Sequence, residues 1–183
     1  AIPAGKHSTV EITMPETMQD ILTIKVTSAD KTTENTYKVS MTGKIVNGTP
    51  AAIVTTASSG NGPGTTAEMA FDNDYGSYWT DDGDGKYIQF DLGAAKELLG
   101  LDIAWYKGSD RQAKFSIDIS EDGKSWSEVY KGISSGTSTE PEFYDFDKVV
   151  KARYLRIVGH GNTEGSYWHS VAETAIYEIV KDE

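Results

Sequence analysis

Apolar residues recur with a period of two through much of this chain. Ile88, Phe90 and Leu92 fall on one face of a strand, Leu101, Ile103 and Trp105 on a face of another, and Phe115, Ile117 and Ile119 on a third. Alternation of this kind marks a half-buried β-strand, because successive side chains leave opposite faces of the sheet. Glu121-Asp122-Gly123-Lys124 then supplies a hairpin turn, and further strands are expected at residues 126–130, 153–158 and 172–180. Residues 8–13, 21–28 and 35–41 are rich in β-branched side chains, and the polar segment 29–34 makes the last two a hairpin. Short strands, frequent turn signals and no long segment of period 3.6 indicate an all-β fold, an antiparallel sandwich or barrel. No internal repeat or low-complexity tract interrupts the pattern.

Composition divides the chain in two. Residues 1–45 hold five Lys and five acidic residues, so residues 46–183 carry the entire net charge of −11. Tyr37 is the only aromatic residue before position 45, while every Trp and Phe comes later. Forty-odd residues with one aromatic side chain make a thin core, so residues 1–45 read as the remnant of a small β-rich spacer module. Residues 46–57 read as a linker and first strand, and residues 58–183 as the principal domain. Polar segments bearing Gly and Pro at 43–50 and 58–66 are connections. The chain starts at Ala1 without a basic-then-apolar leader, which reads as a mature chain or a piece of a longer one.

Several classes of function drop out on composition. The absence of cysteine removes disulfide frameworks, thiolate catalysis and zinc or iron sites built on sulfur. No stretch approaches the roughly 20 consecutive apolar residues of a membrane-spanning helix. An acidic surface argues against a nucleic-acid partner, which calls for a basic footprint.

Five segments occur in an order and spacing that carry a resemblance. They are Ala70-Phe71-Asp72-Asn73-Asp74-Tyr75-Gly76-Ser77-Tyr78-Trp79, Tyr87-Ile88-Gln89-Phe90-Asp91-Leu92-Gly93, Ile119-Ser120-Glu121-Asp122-Gly123-Lys124-Ser125-Trp126, Ala152-Arg153-Tyr154-Leu155-Arg156-Ile157 and Ala172-Glu173. Together they resemble the discoidin (coagulation factor 5/8 type C) fold and, within it, the family 32 carbohydrate-binding modules, over residues 52–180. The resemblance implies a discoidin-like jelly-roll β-sandwich of eight strands that binds glycans through loops at one end, holds a structural calcium ion and has no catalysis of its own. The earlier segment 30–43 is similar to the closing hairpin of the cadherin-like or immunoglobulin-like spacers of bacterial secreted enzymes. Secretion or display at a bacterial cell surface, with a catalytic domain covalently attached, follows from the same likeness.

A calcium ion takes six to eight hard oxygen ligands, and the acidic loop 72–77 offers carboxylates and a hydroxyl at short intervals without being an EF-hand. The resemblance places ligands on the carbonyl of Met69, the carboxylate of Asp72, the carbonyl of Asp74, the carbonyl and hydroxyl of Ser77, the carbonyl of Ala172 and the carboxylate of Glu173. Asn73 stands where the family usually has Gly, and Asn tolerates the positive φ such a turn needs. The alternative is an acidic surface loop with no metal.

Glycan-binding candidates lie in two other loops. One runs from Trp105 through Tyr106 and Lys107 to Arg111, and the other from Gly159 through His160 and Asn162 to Tyr167, Trp168 and His169. Sugar sites need this mixture, since a flat aromatic ring covers the apolar face of a pyranose while polar side chains take its hydroxyls. Trp105 is balanced between core and site, and Tyr167 and Trp168 between site and core support. Trp79, Trp126 and Asp91 read as structural, and Arg153 as one half of a buried ion pair, with Arg153 and Arg156 on opposite faces of their strand. One of only three Arg residues, Arg111, falls in a candidate loop with Lys107. A local cation pair on an acidic protein points to a ligand bearing carboxylate or sulfate.

The strings around Arg111 and Asn162 also resemble modules appended to polysaccharide lyases, alginate lyases in particular, which favours a uronic-acid polymer. Two other readings compete with a non-catalytic binding module. A small polysaccharide lyase would need an acid and a base on the substrate carbon; His160, Tyr167 and Arg111 can be cast in those roles, but no catalytic motif stands out. A discoidin-type adhesion module for protein or lipid would call for apolar loop tips, and none is evident.

Overall fold

The computed structural model describes residues 8–13, 21–40 and 48–179. The chain divides into two compact units, Ala1–Val46 and Asn47–Glu183. In the first, strands β1 (Thr9–Thr13), β2 (Ile21–Thr27) and β3 (Glu34–Ser40) form an antiparallel sheet in the order β1-β2-β3. The turn between β2 and β3 is closed by Asp30, whose carboxylate accepts from the Ser28 hydroxyl and the Thr32 amide. Those bonds hold its pKa down to about 2. The hairpin expected from the 29–34 segment is therefore present, while Met41 lies outside the described residues.

The second unit is a sandwich built from one hydrogen-bonded ladder folded over on itself. Its strands are β4 (Thr49–Pro50), β5 (Thr55–Ser58), β6 (Trp79–Asp82), β7 (Tyr87–Trp105), β8 (Ala113–Ser120), β9 (Ser127–Ile133), β10 (Glu142–Asn162) and β11 (Trp168–Glu178). They run in the order β4-β11-β7-β10-β8-β9, with β5 also on β7 and β6 also on β11. β7 and β10 are long enough to serve both layers. Tyr87–Asp91 of β7 pairs with the far end of β10 and with β5, whereas its later half pairs with the start of β10 and with β11. The change of layer coincides with register shifts and with residues of positive φ, Gly93 in β7 and Asp147 in β10.

Period-two patterning drives this arrangement. Ile88, Phe90 and Leu92 from one half of β7 and Leu98, Leu101, Ile103 and Trp105 from the other are buried in the same core, with Phe115, Ile117, Leu155, Ile157 and Ile176. Burying a side chain of this size contributes roughly 1.5–3 kcal/mol, so the alternating positions hold the two layers face to face. Trp79 is at the centre, its indole N–H donating to the Gly60 carbonyl and the Asn61 side chain.

Three expectations need revision. β10 and β11 begin well before residues 153 and 172, because polar residues such as Asp145 and Lys151 alternate with buried Tyr144, Phe146, Val150 and Ala152 at the start of β10. Arg153 and Arg156 share one face: Arg153 sits in a register irregularity, so both guanidiniums reach the outer face carrying Asp91 and Gln89. The Arg153–Asp91 pair is bidentate at 2.8 and 2.9 Å but partly solvent-exposed rather than buried.

β4 pairs with the last residues of β11 at Tyr177 and Glu178, while Trp168 opens β11 at its other end. The chain thus enters and leaves the sandwich side by side, at the end opposite Trp168.

Candidate functional site

The loop after β7 is a compact turn. The amides of Gly108, Asp110 and Arg111 donate to the carbonyls of Trp105, Lys107 and Lys107, with Lys107 at φ 56°. Position 108 demands glycine, since a Cβ there would lie 2.3 Å from the Ser138 carbonyl oxygen. This turn presents Tyr106 and Arg111 outward while Trp105 goes inward. Trp105 is 4% exposed, packs on Phe115 and donates its N–H to the Tyr144 hydroxyl at 2.8 Å, so it is a wall of the core whose small exposed part lines the same neighbouring cleft as Lys107.

Tyr106 stacks on Tyr78 at 3.9 Å between ring centroids, 18° from parallel. Contact with the Tyr106 hydroxyl, then burial, raises the Tyr78 phenol above its ordinary value. Trp168, 39% exposed, and Arg111 complete a cleft of about 250 Å³ with Pro63, Thr80 and Ser170. The Arg111 side chain is 14% exposed and only loosely held: Nη1 donates to Glu164 at 3.3 Å and Nη2 to the Ser170 hydroxyl at 3.4 Å. A guanidinium has five N–H donors, these two long bonds engage only two of them, and Arg111 is among the residues lining the cleft. Aromatic faces beside an under-used guanidinium can stack a sugar ring and grip a carboxylate with two parallel bonds.

Sequence reasoning missed Tyr78, Thr80, Ser170 and Pro63 as lining. The signal for Tyr78 was present, because Trp79 is a core residue and its neighbour must then point the other way. Lys107 is close to Arg111 in sequence, yet it lines a neighbouring cleft of about 460 Å³ on the other side of Tyr106, with Tyr75, Asp110 and Glu140. Its ammonium lies 5.8 Å from the Tyr106 ring centre.

The second predicted loop scatters its residues. Asn162 is 4% exposed and spends its side chain on the loop itself, donating to the Trp168 carbonyl and accepting from the amides of Glu164 and Ser166. It positions Trp168 and lines neither of the two clefts beside Tyr106. Tyr167 is exposed, outside the cleft that Trp168 lines. His160 points elsewhere: Nδ1 is 2.9 Å from Asp84 Oδ1 and Nε2 is 3.2 Å from Ser116 Oγ. The hydrogen bond with His160 lowers the Asp84 pKa. Although Asp84, His160 and Ser116 form a row of the types found in serine hydrolases, Ser116 is 3% exposed and presents no nucleophile to a substrate. His169 is buried beneath Gly159, where a Cβ would fall 1.9 Å from the imidazole, and burial lowers its pKa.

The acidic loop brings its oxygens together. Ser77 Oγ lies 3.3 Å from the Met69 carbonyl, 2.8 Å from Asp72 Oδ2 and 3.2 Å from the Asp74 carbonyl. One hydroxyl proton cannot satisfy three acceptors. Asn73 has φ 62°, and its amide donates to Glu173 Oε2 at 2.9 Å, joining the loop to β11. Burial, and next to it the charges of Asp72 and Asp74, raise the Glu173 pKa. Ala172 is the extra residue of a bulge between Val171 and Glu173 and faces no partner on β7. Among the described residues no group of three His, Cys, Asp or Glu side chains is gathered to hold a metal, so an ion here would rest on two carboxylates, a hydroxyl and carbonyls.

Comparison with known proteins accords with this architecture. No curated protein matches the chain. Among solved structures, the CBM32 of AlyQ in complex with 4,5-unsaturated mannuronic acid is 38% identical with a TM-score of 0.68, over 72% of this chain and 99% of that one. A truncated AlyQ with CBM32 and alginate lyase domains is 37% identical with a TM-score of 0.69, over 73% of this chain and 34% of that longer one. A pectin-binding carbohydrate-binding module is 26% identical with a TM-score of 0.65, over 73% of this chain and 96% of that one. The fold is that of a carbohydrate-binding module, and among the described residues no helix is long and apolar enough to cross a membrane. The F5/8 type C domain model matches residues 54–174, most of the second unit, and the chain belongs to that family.

Proposed function

We propose that the second unit is a non-catalytic module that holds an attached polysaccharide-degrading enzyme on an acidic polysaccharide, alginate first among them, outside the cell. The observation that carries this reading is the Arg111 guanidinium, little exposed yet held by two long hydrogen bonds, in a cleft walled by Tyr78, Tyr106 and Trp168. In this reading a uronate ring lies against the aromatic wall while its carboxylate takes paired N–H donors from Arg111. The bound sugar in one relative and the pectin binding named for another support the choice of uronate.

A small open site of this kind gives single-site dissociation constants of roughly 10 µM to 1 mM, about −4 to −7 kcal/mol. Tethering then raises the local concentration of enzyme on polymer. Titration of the chain with oligomannuronate, oligogalacturonate and galactose tests the reading. Binding to the uronates, weakened at this cleft by roughly 30-fold or more in Arg111→Ala, is the expected result; no binding to any of them, or equal binding to neutral galactose, overturns it.

A structural calcium ion belongs to the same proposal. Asp72, Ser77 and Glu173 with the carbonyls of Met69, Asp74 and Ala172 would hold it, and the converging acceptors around Ser77 together with the crowded Glu173 fit a hard divalent cation. Bound there, the ion supplies charge neutralisation that fastens the 69–77 loop to β11.

A further inference from the structure

A third cleft, of about 290 Å³, opens on the strip where β8 and β9 pair. Its lining is Lys114, Lys131, His160, Ile133, Gly132 and Phe115, three basic side chains around an apolar floor with no carboxylate among them. Lys114 is opposite Ile133 in the ladder and Lys131 opposite Ser116, so the two ammonium groups flank one patch of sheet. Neither Lys has an ion-pair partner among the described residues, whereas Lys86, Lys96 and Lys151 each do. His160 is fixed at the rim by Asp84 on one nitrogen and Ser116 on the other. Ile133 is an exposed large apolar side chain. Further along the same strands Asp118 faces Glu128, so the basic strip is bounded and does not continue down the sheet.

On a chain of net charge −11, a cleft lined by two Lys side chains without ion-pair partners, its rim carboxylate Asp84 being engaged by His160, favours anions. Exposed Ile133 offers apolar cover for a pyranose face, and the two Lys residues offer point charges rather than the planar fork of Arg111. We propose that this cleft is a second acidic-polysaccharide site that takes another uronate stretch of the polymer engaged by the Tyr78–Tyr106–Trp168 cleft. The proposal rests on the acidic-polymer reading above and adds valency to it. Two weak sites on one module convert the second contact into an intramolecular one, so the gain appears on long chains and not on short oligomers.

The test uses the full 183-residue chain, purified oligomannuronate and immobilised long-chain alginate. Amide shifts are followed by NMR in the wild type, in Arg111→Ala, in the double variant Lys114→Glu/Lys131→Glu, and in Lys124→Glu/Lys148→Glu as a charge-matched control. The proposal expects oligomer to move the amides of Lys114, Lys131 and Ile133 in both wild type and Arg111→Ala. It also expects Lys114→Glu/Lys131→Glu to weaken binding to long alginate at least tenfold, with the control changing it less than twofold. Shifts confined to the Arg111 cleft, or equal losses in the two double variants, overturn the second site and leave the proposed function standing. Absence of shifts in either cleft overturns both. A dimer of the free chain that dissociates in Lys114→Glu/Lys131→Glu assigns the face to a second copy and overturns the second site.

Discussion

The three Arg residues of this chain sit in two kinds of surroundings. On the outer face of the sandwich, Arg156 lies between Tyr87 and Trp126, with its guanidinium carbon 3.9 and 3.7 Å from the two ring centres, and donates Nε to Gln89. Arg153 beside it is clamped on Asp91. At the loop end, Arg111 has two long bonds and an open cleft in front of it. The same side chain serves the fold where its donors and its faces are taken, and keeps spare donors where they are not. The carboxylates divide in the same way: Asp91 is held by Arg153 and its pKa falls, whereas Glu173 is part-buried, with Asp72 and Asp74 nearby, and its pKa rises.

The comparison breaks if binding and stability cannot be separated by substitution. Arg111→Ala is expected to weaken uronate binding by roughly 30- to 100-fold, about 2–2.7 kcal/mol, the scale of a lost charged hydrogen-bonding pair. Its melting temperature should fall by less than that of Arg156→Ala, since the Arg111 guanidinium is held only by two long hydrogen bonds. Calorimetry and thermal unfolding on one preparation give both numbers. Arg156→Ala reverses the pattern: loss of the stack and of the buried stem costs about 2 kcal/mol of stability, a drop in melting temperature of roughly 4–10 °C. Affinity measured well below that transition should be unchanged.

Calcium sharpens the comparison on the acidic side. At a free concentration 100 times its dissociation constant, an ion stabilises the fold by about 2.7 kcal/mol, so a rise of several degrees over the chelated protein is expected, and Glu173→Gln should abolish most of it. In the chelated protein Glu173 has a folded pKa above its unfolded value, so its ionisation opposes folding. Stability should therefore fall as pH rises through that folded pKa and recover on acidification, and melting curves with chelator across pH 4 to 7 show the direction. The smallest effect concerns Asp91, whose folded pKa is depressed. Its contribution is present above the unfolded value near 4 and is lost as pH falls through the lower folded value, so Arg153→Ala should flatten the stability profile only below about pH 4.

Most of the fold was legible because period-two burial is a local property. Ile88, Phe90, Leu92, Phe115 and Ile117 all sit inward as their spacing required. Bulges were not legible: alternation assigned Arg153 and Arg156 to opposite faces, and a register irregularity at 153 put them on one. The candidate cleft was half legible. Tyr106, Arg111 and Trp168 were identified and do meet, but Trp105 and Asn162 are consumed by the core and by the loop's own hydrogen bonds, and His160 serves another face. A sequence shows which loop a residue belongs to, not which way a turn such as that at Gly108 aims it. Lys107 and Arg111 read as a pair for the same reason, and Tyr106 separates them.

β11 has Trp168 at one end, in the cleft, and pairs at the other with β4, where the chain enters the sandwich. Under the proposed function, tension between a polymer at Trp168 and an attachment beyond β4 would run lengthwise along β11 and its neighbour β7. Load in that direction would fall on the ladder bonds of β11 with β6 and β7 together instead of peeling them one at a time.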